Sequence, residues 1–279
     1  MNLKNLIIRS LGGGMYAVLI IGGIIFSQWS FVIMGAVLAL LASREFLVMT
    51  KPGGNKLNIS VDVLFAVCAV VLSLVSITGI CSQAMQAVLK ILVPSYLLVR
   101  PIIQLYNQKE EPIKSIAYSF YAQCYTLIPL LFMGWIYNEM NEPFLLLIFA
   151  MIWLNDTGAF LVGCLIGKRR LFERISPKKS WEGFWGGVVF SIATGVAYYY
   201  LIGEAPEGFN NLPFYIILGA LVSASATYGD LVESMFKRSI GVKDSGNLIP
   251  GHGGILDRID SLLFVFPTTA LYLYIYSAI

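Results

Sequence analysis

The sequence predicts an all-α, polytopic integral membrane protein with about nine transmembrane helices. Three observations carry this expectation. Of 279 residues, 57% are hydrophobic and only 13% are charged, where a soluble globular domain has about 25% charged residues. Mean hydropathy is +0.76. The apolar residues gather into stretches close to the roughly 20 residues that a helix needs to cross a bilayer's hydrocarbon core. Such a composition excludes a disordered chain, a nucleic-acid-binding domain and an ordinary cytosolic enzyme.

In order, the stretches run over 11–27, 29–48, 61–80, 85–106, 115–136, 143–166, 181–202, 212–235 and 259–278. The first lacks a small-residue cleavage site and reads as a retained helix, not a signal peptide. Basic residues set the orientation, because Lys and Arg accumulate in cytoplasmic loops. Lys4 and Arg9 precede the first stretch, and Arg44, Lys51 and Lys56 follow the second. Lys109 and Lys114 follow the fourth. Lys168, Arg169, Arg170, Arg174, Lys178 and Lys179 follow the sixth, and Lys237, Arg238, Lys243 and Arg258 follow the eighth. The remaining basic residues, Lys90 and Arg100, fall inside the fourth stretch. The opposite loops carry Glu139, Glu142, Glu204 and Glu207 and no Lys or Arg. This alternation supports the count of nine and places the N-terminus in the cytoplasm, in a multi-pass protein of the cell (inner) membrane.

Residues 1–140 read as an N-terminal region of transmembrane helices, spans one to five. Residues 141–279 read as a C-terminal catalytic region, spans six to nine with cytoplasmic loops 167–180 and 236–258. The first half has no comparable loops; its turns, such as Pro52-Gly53-Gly54, are ordinary connections. Cys68, Cys81, Cys124 and Cys164 show no CxxC spacing and read as apolar packing residues. The single histidine, His252, excludes a multi-histidine metal site.

Chemistry gathers in residues 150–261. Asn155-Asp156-Thr157-Gly158 lies inside the sixth span. An aspartate there costs about 2.5–3.5 kcal/mol on insertion scales and marks a functional site by default; the plain alternative is an aspartate hydrogen-bonded to a neighbouring helix. Asp230, Glu233, Ser234 and Lys237 stand at helical spacing on one face of the eighth span. Asp257, Asp260 and Ser261 open the last span with the same spacing, which suits a helix start as well as a site. Carboxylates crowded near one membrane face call for a cation, and oxygen ligands suit Mg²⁺ over Zn²⁺. Between these motifs, Gly241, Gly246, Gly251, Gly253 and Gly254 alternate with Lys237, Arg238, Lys243 and Arg258. Flexible backbone with cations is equipment for holding polyphosphate, or else a basic loop touching anionic headgroups. Lys178 and Lys179, beside Trp181, fit a topology signal equally well.

Read in order, Ser234-x-Phe236-Lys237-Arg238, Lys243-Asp244-x-Gly246, Ile249-Pro250-Gly251-His252-Gly253-Gly254 and Asp257-Arg258-x-Asp260 resemble the signature of the phosphatidate cytidylyltransferases, or CDP-diacylglycerol synthases. Every fixed position of that pattern is filled. The resemblance extends to NDTGAF at 155–160, SPKKSWEG at 176–183 and GDLVES at 229–234. It implies that CTP and phosphatidate give CDP-diacylglycerol and pyrophosphate, at a site open to the cytoplasmic leaflet. It implies a homodimer and a two-metal centre pairing Mg²⁺ with K⁺, with Asp230 and Asp257 as the leading metal ligands and Asp260 and Asp156 close by. Lys237, Arg238, Lys243 and Arg258 are then expected on the triphosphate, and Lys178 and Lys179 within reach of either substrate's phosphate. Ser234 belongs to the same catalytic stripe. His252 reads as a proton relay or phosphate donor, or equally as a residue that shapes the loop.

Two other functions fit parts of the pattern. A CTP-dependent lipid or polyprenol kinase would share nucleotide chemistry and transfer a different phosphoryl group. An ion-coupled transporter would use intramembrane carboxylates, but needs polar groups through the whole membrane depth, and here they cluster at the cytoplasmic ends.

Overall fold

The computed structural model describes residues 3–50, 56–79, 82–107, 111–203, 206, 208–248 and 253–278. It is almost wholly helical, as expected. The helices are α1 (Leu3–Ile25), α2 (Gln28–Thr50), α3 (Lys56–Ile77), α4 (Ser82–Leu105), α5 (Pro112–Ala122), α6 (Ile128–Met140), α7 (Glu142–Ile166), α8 (Trp181–Leu201), α9 (Leu212–Ser239), α10 (Leu256–Ile259) and α11 (Leu262–Ser277). A π-helical turn, Gln123–Leu127, joins α5 to α6. Among the described residues, 8 helical segments are long and apolar enough to cross a membrane, and Gly13–Ile25 of α1 is a shorter apolar helix. The chain is thus a multi-pass membrane protein. Large apolar side chains such as Leu98, Leu105, Leu165 and Leu201 stand exposed on helix surfaces, where lipid rather than water suits them.

The chain divides into two compact units. The first comprises residues 1–134 and 244–258. In it α2, α3 and α4 pack in succession. Leu74 of α3 fills two glycine notches: a Cβ on Gly35 would stand 2.3 Å from its Cδ1, and one on Gly134 2.4 Å from its Cδ2. Beside this apolar contact lies a buried polar core that the hydropathy pattern did not reveal. Arg100, fully buried on α4, places Nε 3.1 Å from Asp62 Oδ1 of α3. Its guanidinium also donates to Ser119 Oγ, Gln104 Oε1 and Ser115 Oγ at 3.0–3.1 Å. Tyr96 donates to Asp62 as well, at 2.8 Å. Gln123, the first residue of the π turn, donates to the Asp62 carbonyl at 3.1 Å.

The second unit comprises residues 135–243 and 259–279. Its helices α7, α8, α9 and α11 pack through small residues, which let membrane helices approach closely. Gly158 and Gly163 of α7 face Gly186 and Gly183 of α8. Asn141 and Asn211 cap α7 and α9 by accepting from the Phe144 and Phe214 N–H groups, and a proline follows each in the first helical turn. Between α7 and α8 a two-stranded antiparallel hairpin forms, β1 (Arg170–Phe172) and β2 (Ser176–Ser180). Strands this short carry no periodic signal, and the sequence reads there only as a basic loop. Ser180 caps α8 by accepting from Gly183 N at 3.2 Å. Glu182 accepts from the Lys168 and Arg169 N–H groups and ties the hairpin's base to that helix.

The α8–α9 crossing yields a direct test. A Cβ on Gly219 would meet backbone atoms of Ile192 at 2.7 and 2.9 Å. Backbone cannot rotate away, so Gly219→Ala should cost about 1–3 kcal/mol as an overpacked site. Thermal unfolding in detergent should register the loss; an unchanged midpoint would show that the helices separate freely here.

Candidate active site

In the second unit, α7, the β1–β2 hairpin, α8 and α9 line an open cavity of about 380 Å³. Four residues singled out from the sequence line it: Asp156, Lys178, Lys179 and Asp230. Asp156 is presented by its neighbour. Asn155 is buried; its Oδ1 accepts from Ser223 Oγ at 2.6 Å and its Nδ2 donates to Asp156 Oδ1 at 3.3 Å. Gly187 makes room for this amide, since a Cβ there would stand 2.4 Å from Asn155 Oδ1.

Asp230 is held from both sides. Lys179 Nζ lies 2.7 Å from Oδ2, and Ser234 Oγ donates to Oδ1 at 3.2 Å. The same ammonium reaches the Thr227 carbonyl at 3.5 Å. One turn further along α9, Lys237 pairs with buried Glu233 at 2.5 Å and is itself buried. Its charge thus already has a carboxylate partner within the unit.

Asp260 joins this group through the α9–α11 contact. Gly229 carries no side chain to hold the helices apart, and a Cβ there would meet the Asp260 carbonyl at 2.7 Å. Ser261 Oγ donates to the Ala226 carbonyl at 3.2 Å and fixes the approach. Asp260 consequently lies in the electrostatic field of Asp230, Glu233 and Asp156. Phe160, Leu171 and Phe184 form an apolar wall of the cavity. Two ammonium groups and two carboxylates stand beside this wall, and one of the ammonium groups, Lys179, is paired with Asp230.

Arg238, Lys243 and Lys178 are exposed. Arg238 Nη1 donates to the Val242 carbonyl at 3.0 Å.

The first unit holds the other part of the glycine-rich motif. Asp257, at the start of α10, organises the loop: its Oδ2 accepts from Ser245 N, Ser245 Oγ and Gly254 N at 2.8–3.0 Å. Gly253 adopts a positive φ of 80°, which glycine tolerates without strain. Arg258 is half-buried in the same segment. His252, with Ile249, Pro250 and Gly251, lies outside the described residues, as does Cys81.

The oxygen donors around Asp260 are of the kind Mg²⁺ prefers. Among the described residues, no three His, Cys, Asp or Glu side chains converge as a metal-binding group. The cation seen on Asp230 is the Lys179 ammonium.

The sequence motif included Asn155 beside Asp156 without giving it a role, and Thr227, Ser223 and Ser245 were not singled out. Ser223 and Thr227 carry no signal that separates them from small packing residues in a membrane helix. Glu45, a carboxylate inside the second apolar stretch, was an available signal of the kind applied to Asp156.

Residues 7–276 match the model of the cytidylyltransferase family. The chain belongs to that family. It is 46% identical over 123 residues to a phosphatidate cytidylyltransferase of Haemophilus influenzae, covering 44% of this chain and 43% of that one. It is 41% identical over 158 residues to a phosphatidate cytidylyltransferase of Staphylococcus aureus, covering 54% and 58%, and 39% identical over 156 residues to one of Staphylococcus epidermidis. The matched part thus spans about half the length of these curated relatives.

Proposed function

We propose that the protein is a phosphatidate cytidylyltransferase acting in phospholipid biosynthesis. The observation that carries this reading is the cavity where Lys178, Lys179, Asp156 and Asp230 meet beside an apolar wall, in a chain of the cytidylyltransferase family. A phosphate oxygen of phosphatidate attacks the α-phosphorus of CTP. The new P–O bond joins the lipid phosphate to CMP, the α–β anhydride bond breaks, and pyrophosphate leaves with the electron pair.

Both reactants are anions, so the barrier is largely repulsion and positioning. Lys178 and Lys179 neutralise the lipid phosphate at the head of the cavity, and Phe160, Leu171 and Phe184 accept the first carbons of its acyl chains. Arg238, Lys243 and Arg258 serve the triphosphate and the leaving pyrophosphate. Lys237 contributes through the charge balance it sets with Glu233. No covalent nucleophile is needed; Ser234 orients Asp230, and Asp156 and Asp260 keep the site selective for cations. Asp230 would offer carboxylate oxygens to Mg²⁺, and Asp257 is assigned a metal role by the motif alone; K⁺ would be a second ion. When bound, Mg²⁺ would supply charge neutralisation to the reacting phosphates. His252 is assigned to the leaving phosphate or to loop shape, and the protein to a homodimer in the inner membrane.

Purified protein given CTP, phosphatidate and Mg²⁺ should yield CDP-diacylglycerol and pyrophosphate. A phosphorylated lipid with CDP release would make it a kinase, and ion flux in proteoliposomes without CTP would make it a transporter.

The orientation has its own test. In right-side-out vesicles an impermeant thiol reagent should label Asn210→Cys from outside. It should reach Glu173→Cys and Ser239→Cys only after permeabilisation. Outside labelling of the latter pair would overturn the cytoplasmic placement.

A further inference from the structure

The glycine-rich loop is held by a residue far away in the sequence. Glu45 lies near the end of α2 and is 9% exposed. Its Oε2 accepts from Leu256 N at 2.9 Å and from Ser245 Oγ at 3.1 Å. The same Ser245 hydroxyl is 3.0 Å from Asp257 Oδ2. A hydroxyl carries one proton and can donate to only one carboxylate at a time. Glu45 and Asp257 therefore share a single donor, and the position of one bears on the other. All these residues belong to the first unit.

Two glycines form the socket for this carboxylate. A Cβ on Gly246 would stand 2.8 Å from Glu45 Oε1, and one on Gly254 2.2 Å from Oε2. The three atoms nearest such a Cβ on Gly246 are Glu45 Oε1, Glu45 Cδ and, at 3.5 Å, the Gly254 Cα. Neither glycine has a positive φ, so space for Glu45, rather than backbone conformation, is what these positions require. A glycine in such a loop would otherwise be credited to close approach by phosphate.

We propose that Glu45 is a positioning residue: seated between Gly246 and Gly254, it holds Ser245 and Leu256 and thereby sets Asp257 for the reaction. Its kinetic consequences rest on the cytidylyltransfer reading; the loop-holding itself does not.

The test uses the full-length protein in detergent and four variants: Glu45→Ala, Glu45→Gln, Gly246→Ala and the double Glu45→Ala/Gly246→Ala. Partners that orient a ligand typically matter 10–100-fold, so Glu45→Ala should lower kcat/KM for CTP by about that factor. KM for phosphatidate should stay near the wild-type value. Gln keeps an acceptor oxygen for Leu256 N–H and should recover most of the loss. Gly246→Ala should resemble Glu45→Ala, and the double variant should be no worse than either single one. Independently of activity, hydrogen exchange at the Ser245 and Leu256 amides should accelerate in Glu45→Ala. Wild-type kinetics and exchange in Glu45→Ala would overturn the proposal. So would equal damage by Gln and Ala with both KM values raised, or a Gly246→Ala effect that persists in full without Glu45, which would return that glycine to substrate approach. Should Glu45→Ala aggregate, Gly246→Ala carries the same kinetic and exchange expectations. If the wild type makes no CDP-diacylglycerol yet exchange responds as stated, the functional reading fails and the loop-holding role stands.

Discussion

Asp257→Asn should abolish nearly all turnover, by roughly a thousandfold, while leaving a folded protein. Asparagine preserves the shape of the side chain. Its Oδ1 can take the place of the oxygen that now accepts from Ser245 N, Ser245 Oγ and Gly254 N, so the loop keeps its brace. What disappears is one negative charge assigned to the metal. Charge stabilisation by a Lewis acid is worth several kcal/mol, and about 4 kcal/mol is three decades in rate. Asp257→Ala removes brace and charge together and should also loosen the loop. Comparing the two variants separates the roles: activity should fall in both, and hydrogen exchange at Gly254 should rise only with Ala. Asp257→Asn within tenfold of wild type, in protein that elutes normally from size exclusion, would leave Asp257 a loop brace and nothing more.

Arg100→Ala should destabilise the fold more than Gly219→Ala does. The guanidinium is fully buried and meets Asp62, Ser115, Ser119 and Gln104. Removing it leaves the Asp62 carboxylate buried without its counter-charge, a loss of about 3–5 kcal/mol. At about 2–4 °C per kcal/mol for a chain of this size, the thermal midpoint should fall by roughly 10 °C. Asp62→Leu combined with Arg100→Met should recover much of this, because an apolar pair replaces a buried ion pair at little cost. A midpoint for Arg100→Ala within a degree or two of wild type would mean that the network contributes no stability.

How much of this was legible in the sequence depends on what each feature leaves in the residue order. The membrane class and most of the spans were, because about 20 consecutive apolar residues are a signal in themselves. The α9 stripe was, because offsets of three, four and seven put Asp230, Glu233, Ser234 and Lys237 on one face. The pairing within that stripe was not: Lys237 goes to Glu233, while Asp230 takes a lysine from β2. Spacing assigns a face, and tertiary contacts choose the partner. Asp62 and Arg100 are 38 positions apart, each hidden in an otherwise apolar span. The hairpin stayed hidden because three residues of β1 are too few to show alternation. Glu45 itself stood in view as a carboxylate in an apolar stretch, but its partners lie 200 and 211 positions away, and no local pattern points across that distance.

Position-specific labelling tests the proposed attack of a lipid phosphate on the α-phosphorus of CTP most directly. Purified protein is incubated with phosphatidate vesicles, Mg²⁺ and CTP carrying ³²P at either the α or the γ position, and lipid and aqueous phases are separated. Cytidylyl transfer sends the α label into the lipid as CDP-diacylglycerol and the γ label into water as pyrophosphate. A γ label in the lipid, with α label left behind in CDP, would contradict the account.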